Sequence, residues 1–216
     1  MARRFTAALL FGATVLAYPA ELVERQNTTC LVSDNYPAVS ISKLPDPFTS
    51  ASGTKMIHQY KLGDFPPLPD KVEASLSGTT TSVKITVGSK SVTITAAIKA
   101  PSTKPGPANI TIGGSSIPIP ATVGTVGFGN DAFASQASGS SRGQDSFYTL
   151  FRASHSAGAL TAWAWGVGRI IDGLDQLGAD QTGINTKKLG VTGCSRNGKG
   201  AFVVGALNDR IALTLP

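Results

Sequence analysis

The stretch Lys188-Leu-Gly-Val-Thr-Gly-Cys-Ser-Arg-Asn-Gly-Lys-Gly-Ala201 decides how the rest of the chain is read. Apolar, β-capable residues lead in, with Leu189, Val191 and Thr192. A tight corner follows, Gly193-Cys194-Ser195-Arg196-Asn197-Gly198, and Lys199 to Leu207 then reads as a helix of small and apolar residues. A strand, a sharp small-residue turn carrying a serine, and a helix make up a nucleophile elbow. The glycines let the backbone bend hard, so that the serine oxygen stands exposed at the strand end. The helix N-terminus turns its free N–H groups and positive dipole end toward any oxyanion formed there. The spacing departs from the common G-x-S-x-G, since the second glycine comes one place later, at Gly198. Taken on this pattern alone, Ser195 is either a nucleophile or one residue of a plain Gly-rich turn.

Upstream, the chain alternates elements suited to one sheet. Thr81 to Val87 and Ser91 to Ile98 alternate β-branched with polar residues, and Gly88-Ser89-Lys90 links them, which predicts a hairpin. Pro101 to Ala108 reads as a loop. Asn109 to Ile112 predicts a short strand ending in Gly113-Gly114, and Thr122 to Phe128 predicts a second. The Gly-Gly end is either a backbone oxyanion loop or an ordinary turn. Ser141-Arg142-Gly143-Gln144 reads as a polar loop. From Ser154 to Leu177, apolar residues recur at Leu160, Trp163, Val167, Ile170, Ile171 and Leu174, predicting one long helix capped by Ser154 or Ser156. Strand, helix, strand, elbow, helix is an α/β pattern with a largely parallel sheet.

Length and composition bound the rest. The 216 residues suffice for one mid-sized domain with a real core. Lys and Arg number 19 against 13 Asp and Glu, a net +6. Arg3 and Arg4 lie in an apparent leader, so the excess beyond it falls to +4, with no basic cluster to suggest nucleic acid. Met1 to Ala17 has the form of a secretory signal: a basic start, an apolar run from Phe5 to Leu16, and small residues for cleavage. That run is too short to span a membrane, and no other stretch predicts a span. An exported chain with a flexible tail over residues 18–42 and one domain over residues 43–216 is therefore expected. Asn27-Thr28-Thr29 and Asn109-Ile110-Thr111 are acceptor sequences for glycosylation, with Asn109 in a predicted strand. Two histidines and two cysteines far apart argue against a metal site, and no cofactor is expected. By count alone, Cys30 and Cys194 invite a disulfide.

The segment Gly193-Cys-Ser-Arg-Asn-Gly-Lys-Gly-Ala201 resembles the nucleophile motif of the fungal glucuronoyl esterases, a carbohydrate-esterase family of α/β-hydrolase fold. The resemblance extends in order through Lys43-Leu-Pro-Asp-Pro-Phe48, Leu62-Gly-Asp-Phe-Pro-Pro67, Ser141-Arg-Gly-Gln144, Phe147-Tyr148, Ser154-His-Ser-Ala-Gly-Ala159, Thr161-Ala-Trp-Ala-Trp-Gly-Val167 and Leu213-Thr-Leu-Pro216. It covers the chain from about residue 30 onward. It implies hydrolysis of the ester between 4-O-methyl-glucuronic acid on glucuronoxylan and lignin alcohols, by a monomer. It implies Ser195 as nucleophile, Arg196 as oxyanion holder through side chain and backbone N–H, and Lys199 as a binder of uronate hydroxyls. Without it, Arg196 and Lys199 read as surface charges on an exposed turn. Another carbohydrate esterase, such as an acetyl-xylan esterase, and a non-catalytic carbohydrate-binding product are the alternatives.

The chain departs from the family in two places, after Ser195 and near Met56. The 21 residues after Ser195 contain one acid, Asp209, and no histidine. The resemblance places the family's catalytic Glu just beyond the Leu-Thr-Leu-Pro segment and its His much later, so the domain is expected to be incomplete at its C-terminus. A nucleophile without its base loses about 10⁴ to 10⁶ in rate in other triads, and the chain as written is expected to be close to inactive. His155 reads as structural, and His58 carries no catalytic weight. The resemblance also pairs the cysteine before the nucleophile with one beside the catalytic His, and the N-terminal cysteine with one in a stretch missing near Met56. Cys194 and Cys30 are then both expected to be unpaired.

Overall fold

Alternation builds the first half of the sheet. In β2 (Thr80–Val87), Thr81, Val83 and Ile85 are buried while their neighbours face outward, and in β3 (Lys90–Lys99) Ile94, Ala96 and Ile98 do the same. The two pair antiparallel, with Val87 opposite Lys90, as the sequence predicts. These elements belong to a computed structural model that describes residues 62–115, 117–138 and 141–216. The leader, the tail to residue 42, Asn27, Cys30, Lys43 to Phe48 and His58 lie outside the described residues.

Seven strands form one sheet in the order β1-β2-β3-β5-β4-β6-β7. β1 (Lys71–Ser77) extends the hairpin antiparallel, and β3 pairs antiparallel with β5 (Gly124–Phe128). From there β5, β4 (Gly106–Ile112), β6 (Ile184–Thr192) and β7 (Ile211–Leu215) run parallel. The sheet is thus mixed, parallel in the half that carries the elbow. Strand β4 sits centrally and is buried along nearly its whole length, as a strand covered on both faces must be. It begins at Gly106, earlier than the sequence predicts, because Gly106 N–H donates to the Gly183 carbonyl oxygen across the sheet at 3.1 Å.

Helices cross between the parallel strands. After β5 come α1 (Asn130–Phe133), α2 (Asp145–Phe151), α3 (Ala159–Leu177) and α4 (Ala179–Thr182). The helix α5 (Arg196–Leu207) joins β6 to β7. Helix α3 buries Trp163, Trp165, Val167, Ile170, Ile171 and Leu174 in one continuous core with the sheet. Both indoles find partners: Trp163 Nε1 donates to the Ala134 carbonyl at 2.7 Å, and Trp165 Nε1 to that of Pro67 at 2.9 Å. Arg169, buried on the same helix, lies 2.6 Å from Asp172 as an ion-pair contact and covers the Trp165 ring. Arg210, in the turn before β7, reaches Asp172 at 2.7 Å and donates to the Gly168 carbonyl at 2.8 Å, tying that turn to α3.

Helix α3 begins at Ala159, not at Ser154, and its N-cap is Gly158 without a side-chain cap. The two serines proposed as caps do not serve. Ser156 Oγ donates to Asp64 Oδ2 at 2.6 Å and accepts the Asp64 N–H at 3.0 Å, while Arg142 donates to the Ser156 carbonyl oxygen. The segment 154–158 is therefore a non-helical strap bonded to residues 62–64 through Ser156 and Gly158, with Gly158 N–H donating to the Leu62 carbonyl at 2.9 Å.

Candidate active site

Strand β6 ends at Thr192 with Leu189 and Val191 buried, and the chain turns at Gly193 and Cys194 directly into α5. Ser195 occupies the N-cap of α5 at φ 54° and ψ −115°, a conformation that L-residues rarely adopt. Strain of this kind persists only where surrounding structure enforces it. Here Asn197 N–H donates to the Cys194 carbonyl at 2.9 Å, Lys199 N–H donates to that of Ser195 at 3.1 Å, and Thr192 Oγ1 fastens the strand end to the Leu215 carbonyl at 2.8 Å. The corner leaves Ser195 exposed at the C-terminal end of an interior parallel strand, between β4 and β7. That is where open α/β sheets place their ligands.

Three strand ends converge on the residues after Ser195. Helix α1, at the end of β5, carries Asp131, whose Oδ2 accepts from Arg196 Nη2 at 2.8 Å. The preceding Asn130, 2 % exposed, donates through Nδ2 to Asn197 Oδ1 at 3.2 Å. Gly113, at the end of β4, has φ 65°, and a Cβ there would lie 2.1 Å from Asn197 Nδ2. The Gly113-Gly114 turn thus packs against the elbow. The Gly113 N–H donates to the Phe128 carbonyl at 3.2 Å, so in this turn that donor is already engaged. The backbone N–H of Arg196, in the first turn of α5, has no acceptor within the helix.

Lys199 stands one turn further on and is exposed. With Ser195, Leu160, Phe202, Val203 and Pro216 it lines a cleft of about 380 Å³. Ser195, Arg196 and Lys199, singled out in the sequence, therefore meet at one end of the sheet. A Ser oxygen, a guanidinium and the free N–H groups of a helix start form a set able to attack a carbonyl carbon and hold the oxygen that becomes negative.

Other expected site residues fare differently. Asn109, a glycosylation candidate in the sequence, is 6 % exposed in β4 between two strands, a placement that accessible acceptor sites on loops do not share. Cys194 is exposed and unpaired among the described residues. His155, the one imidazole among the described residues, packs against Phe147 and Phe151, and its Nδ1 accepts the Ala157 N–H at 3.1 Å. It belongs to the strap before α3. Among the described residues no cluster of His, Cys, Asp or Glu is arranged to hold a metal, and no helix is long and apolar enough to cross a membrane.

Asp131, Asn130 and Asn197 were not foreseen. The sequence offers only Gly129-Asn130-Asp131 just after a predicted strand, and its nearness to the elbow depends on the strand order β5-β4-β6.

A family model described as glucuronyl esterase, fungi, matches residues 83–216. The chain belongs to the fungal glucuronyl esterase family. A 4-O-methyl-glucuronoyl methylesterase of Thermothelomyces thermophilus is 56 % identical over 98 % of this chain and 58 % of its own length. A crystal structure of recombinant glucuronoyl esterase from Sporotrichum thermophile is 58 % identical, with a TM-score of 0.77 over 85 % of this chain and 55 % of that one. A mutant of the Sporotrichum esterase, solved in complex with methyl 4-O-methyl-β-D-glucopyranuronate, has the same identity, coverage and TM-score. The chain thus spans a little over half the length of these relatives.

Proposed function

We propose that this chain carries the nucleophile half of a secreted serine carboxylic-ester hydrolase that cleaves the ester between 4-O-methyl-glucuronic acid of glucuronoxylan and lignin alcohols. The observation that carries the proposal is the exposed Ser195 on its positive-φ corner, flanked by the tethered Arg196 and by Lys199. The complex of a related esterase with a methyl glucuronate ester supports the uronate as the acyl part. The leader over residues 1–17 supports export.

In this reading Ser195 Oγ attacks the carbonyl carbon of the uronate ester. The tetrahedral oxyanion is met by the Arg196 backbone N–H and guanidinium, while Lys199 donates to sugar hydroxyls. The C–O bond to the alcohol breaks, the alcohol leaves with a proton, and water then releases the uronate from Ser195. The proton acceptor for Ser195 is not His155, whose Nδ1 is engaged within the strap. Neither a cofactor nor a metal enters the scheme.

The test is hydrolysis of methyl 4-O-methyl-D-glucuronate and of acetylated xylan by the product of the complete transcript, beside its Ser195→Ala variant. Uronate-ester cleavage that falls by about 10⁴ or more in the variant supports the proposal. Release of acetate in preference to the uronate alcohol would replace it with an acetyl-xylan esterase. Binding of uronate without hydrolysis of either substrate would make the product a non-catalytic carbohydrate binder.

A further inference from the structure

The ion pair at the elbow bears on which ligand the site retains, and the argument rests on the proposed uronate-ester reading. Arg196 meets one carboxylate, that of Asp131, at 2.8 Å, and both groups remain partly open to solvent, at 40 % and 52 %. Asp131 comes from α1, a separate element at the end of β5, so the pair is not a by-product of local helix geometry. Asn130 beside it is buried and bonded to Asn197, which fixes α1 against the elbow. The carboxylate is thus held against the guanidinium to which the proposed function gives the oxyanion.

Ester hydrolysis changes the charge at that carbonyl. The substrate ester is neutral. After water has added and the alcohol has left, the acyl carbon carries a carboxylate of charge −1, and the proton goes to solvent. An unpaired guanidinium beside Ser195 would bind that product more tightly than the substrate. A guanidinium already paired with Asp131 offers oriented N–H donors with little net charge, leaving Lys199 as the elbow cation without an ion pair among the described residues. We propose that Asp131 is a specificity-determining residue of this site: its carboxylate, paired with Arg196, favours the neutral uronate ester over the anionic uronate that hydrolysis leaves.

The test is a binding titration followed by NMR at low ionic strength, in a Ser195→Ala background so that neither ligand is turned over. The ligands are methyl D-glucuronate and sodium D-glucuronate, and the signals read are the amides of residues 195–199 and the Arg196 Nε–H. In Asp131→Asn the ratio of the two affinities is expected to move about three- to fivefold toward the free acid, the scale of one exposed charge pair. The change should shrink at high salt. Asp131→Glu, which keeps the charge, and Glu73→Gln, which removes a carboxylate on distant β1, should both hold the parent ratio. If both ligands bind at the elbow and Asp131→Asn leaves their ratio unchanged, the role of Asp131 is overturned while the uronate reading stands. If neither ligand perturbs residues 195–199 in any variant, the uronate reading fails and takes this inference with it.

Discussion

Ser195 accepts a backbone conformation that costs on the order of 1–3 kcal/mol for a residue with a Cβ. Glycine would adopt it without penalty. Ser195→Gly is therefore expected to be more stable than Ser195→Ala by about 1 kcal/mol, read as a higher urea midpoint with an unchanged slope. Equal midpoints would mean that the corner is not strained. His155 yields a second prediction. Burial holds its imidazole below the usual 6.5, Arg152 and Arg142 push the same way, and Asp64 opposes them. The folded chain thus binds fewer protons at His155 than the unfolded chain. The stability it contributes is complete above pH 6.5 and is lost as the pH falls through the lowered folded value. Protonation would also displace the Ala157 N–H from Nδ1. Stability should drop on acidification below 6.5, and His155→Phe should flatten that part of the profile; an unaltered profile would assign the drop elsewhere. At this scale the sequence reads well where chemistry is local. Ser195, Arg196 and Lys199 lie within five residues, so one motif carries all three, although the pattern without the family resemblance leaves a plain turn with surface charges as an equal reading. No motif points to Asp131, because a carboxylate 65 residues away becomes a neighbour only when β4 is laid between β5 and β6.

Helices α3 and α5 approach so closely that a helix-propensity argument changes sign. Glycine inside a helix normally gives up about 1 kcal/mol relative to alanine. At Gly200 of α5, however, a Cβ would lie 2.6 Å from Cε3 of Trp163, whose ring is fully buried and whose Nε1 is fixed by the Ala134 carbonyl. Gly200→Ala is expected to lower the thermal midpoint, where propensity alone would raise it. A rise would show that the indole yields. Period-two alternation predicted the β2–β3 hairpin and period 3.6 predicted most of α3, since both patterns record which face is buried. The start of α3 was misjudged because Ser154 and Ser156 have the chemistry of caps, yet Ser156 spends it on Asp64, distant in sequence. Strand β1 went unpredicted although Val72, Ala74 and Leu76 alternate with Lys71, Glu73 and Ser75. Helix α2 was lost at the border of a polar loop.

Among the described residues, the two outer strands of the sheet are guarded unequally. On β1, Lys71 and Glu73 pair at 2.8 Å and stay exposed, and such charges discourage edge-to-edge association. On β7 the sequence Ile211-Ala-Leu-Thr-Leu215 carries no charge, and Leu213 is 56 % exposed. Leu213→Lys is expected to raise the concentration at which the chain first associates, measured by light scattering; no change would place the sticky surface elsewhere, with exposed Phe202 of α5 the next residue to test. The inequality among the described strands also bears on what such association builds. An open-ended filament needs two different complementary edges on each molecule, and here one of them is fenced by charge. Among the described strands the contact this favours is between like edges, β7 against β7 about a two-fold axis, which closes on itself after two copies. A sheet with one bare margin and one armoured margin makes pairs, where a sheet bare on both sides would make fibres.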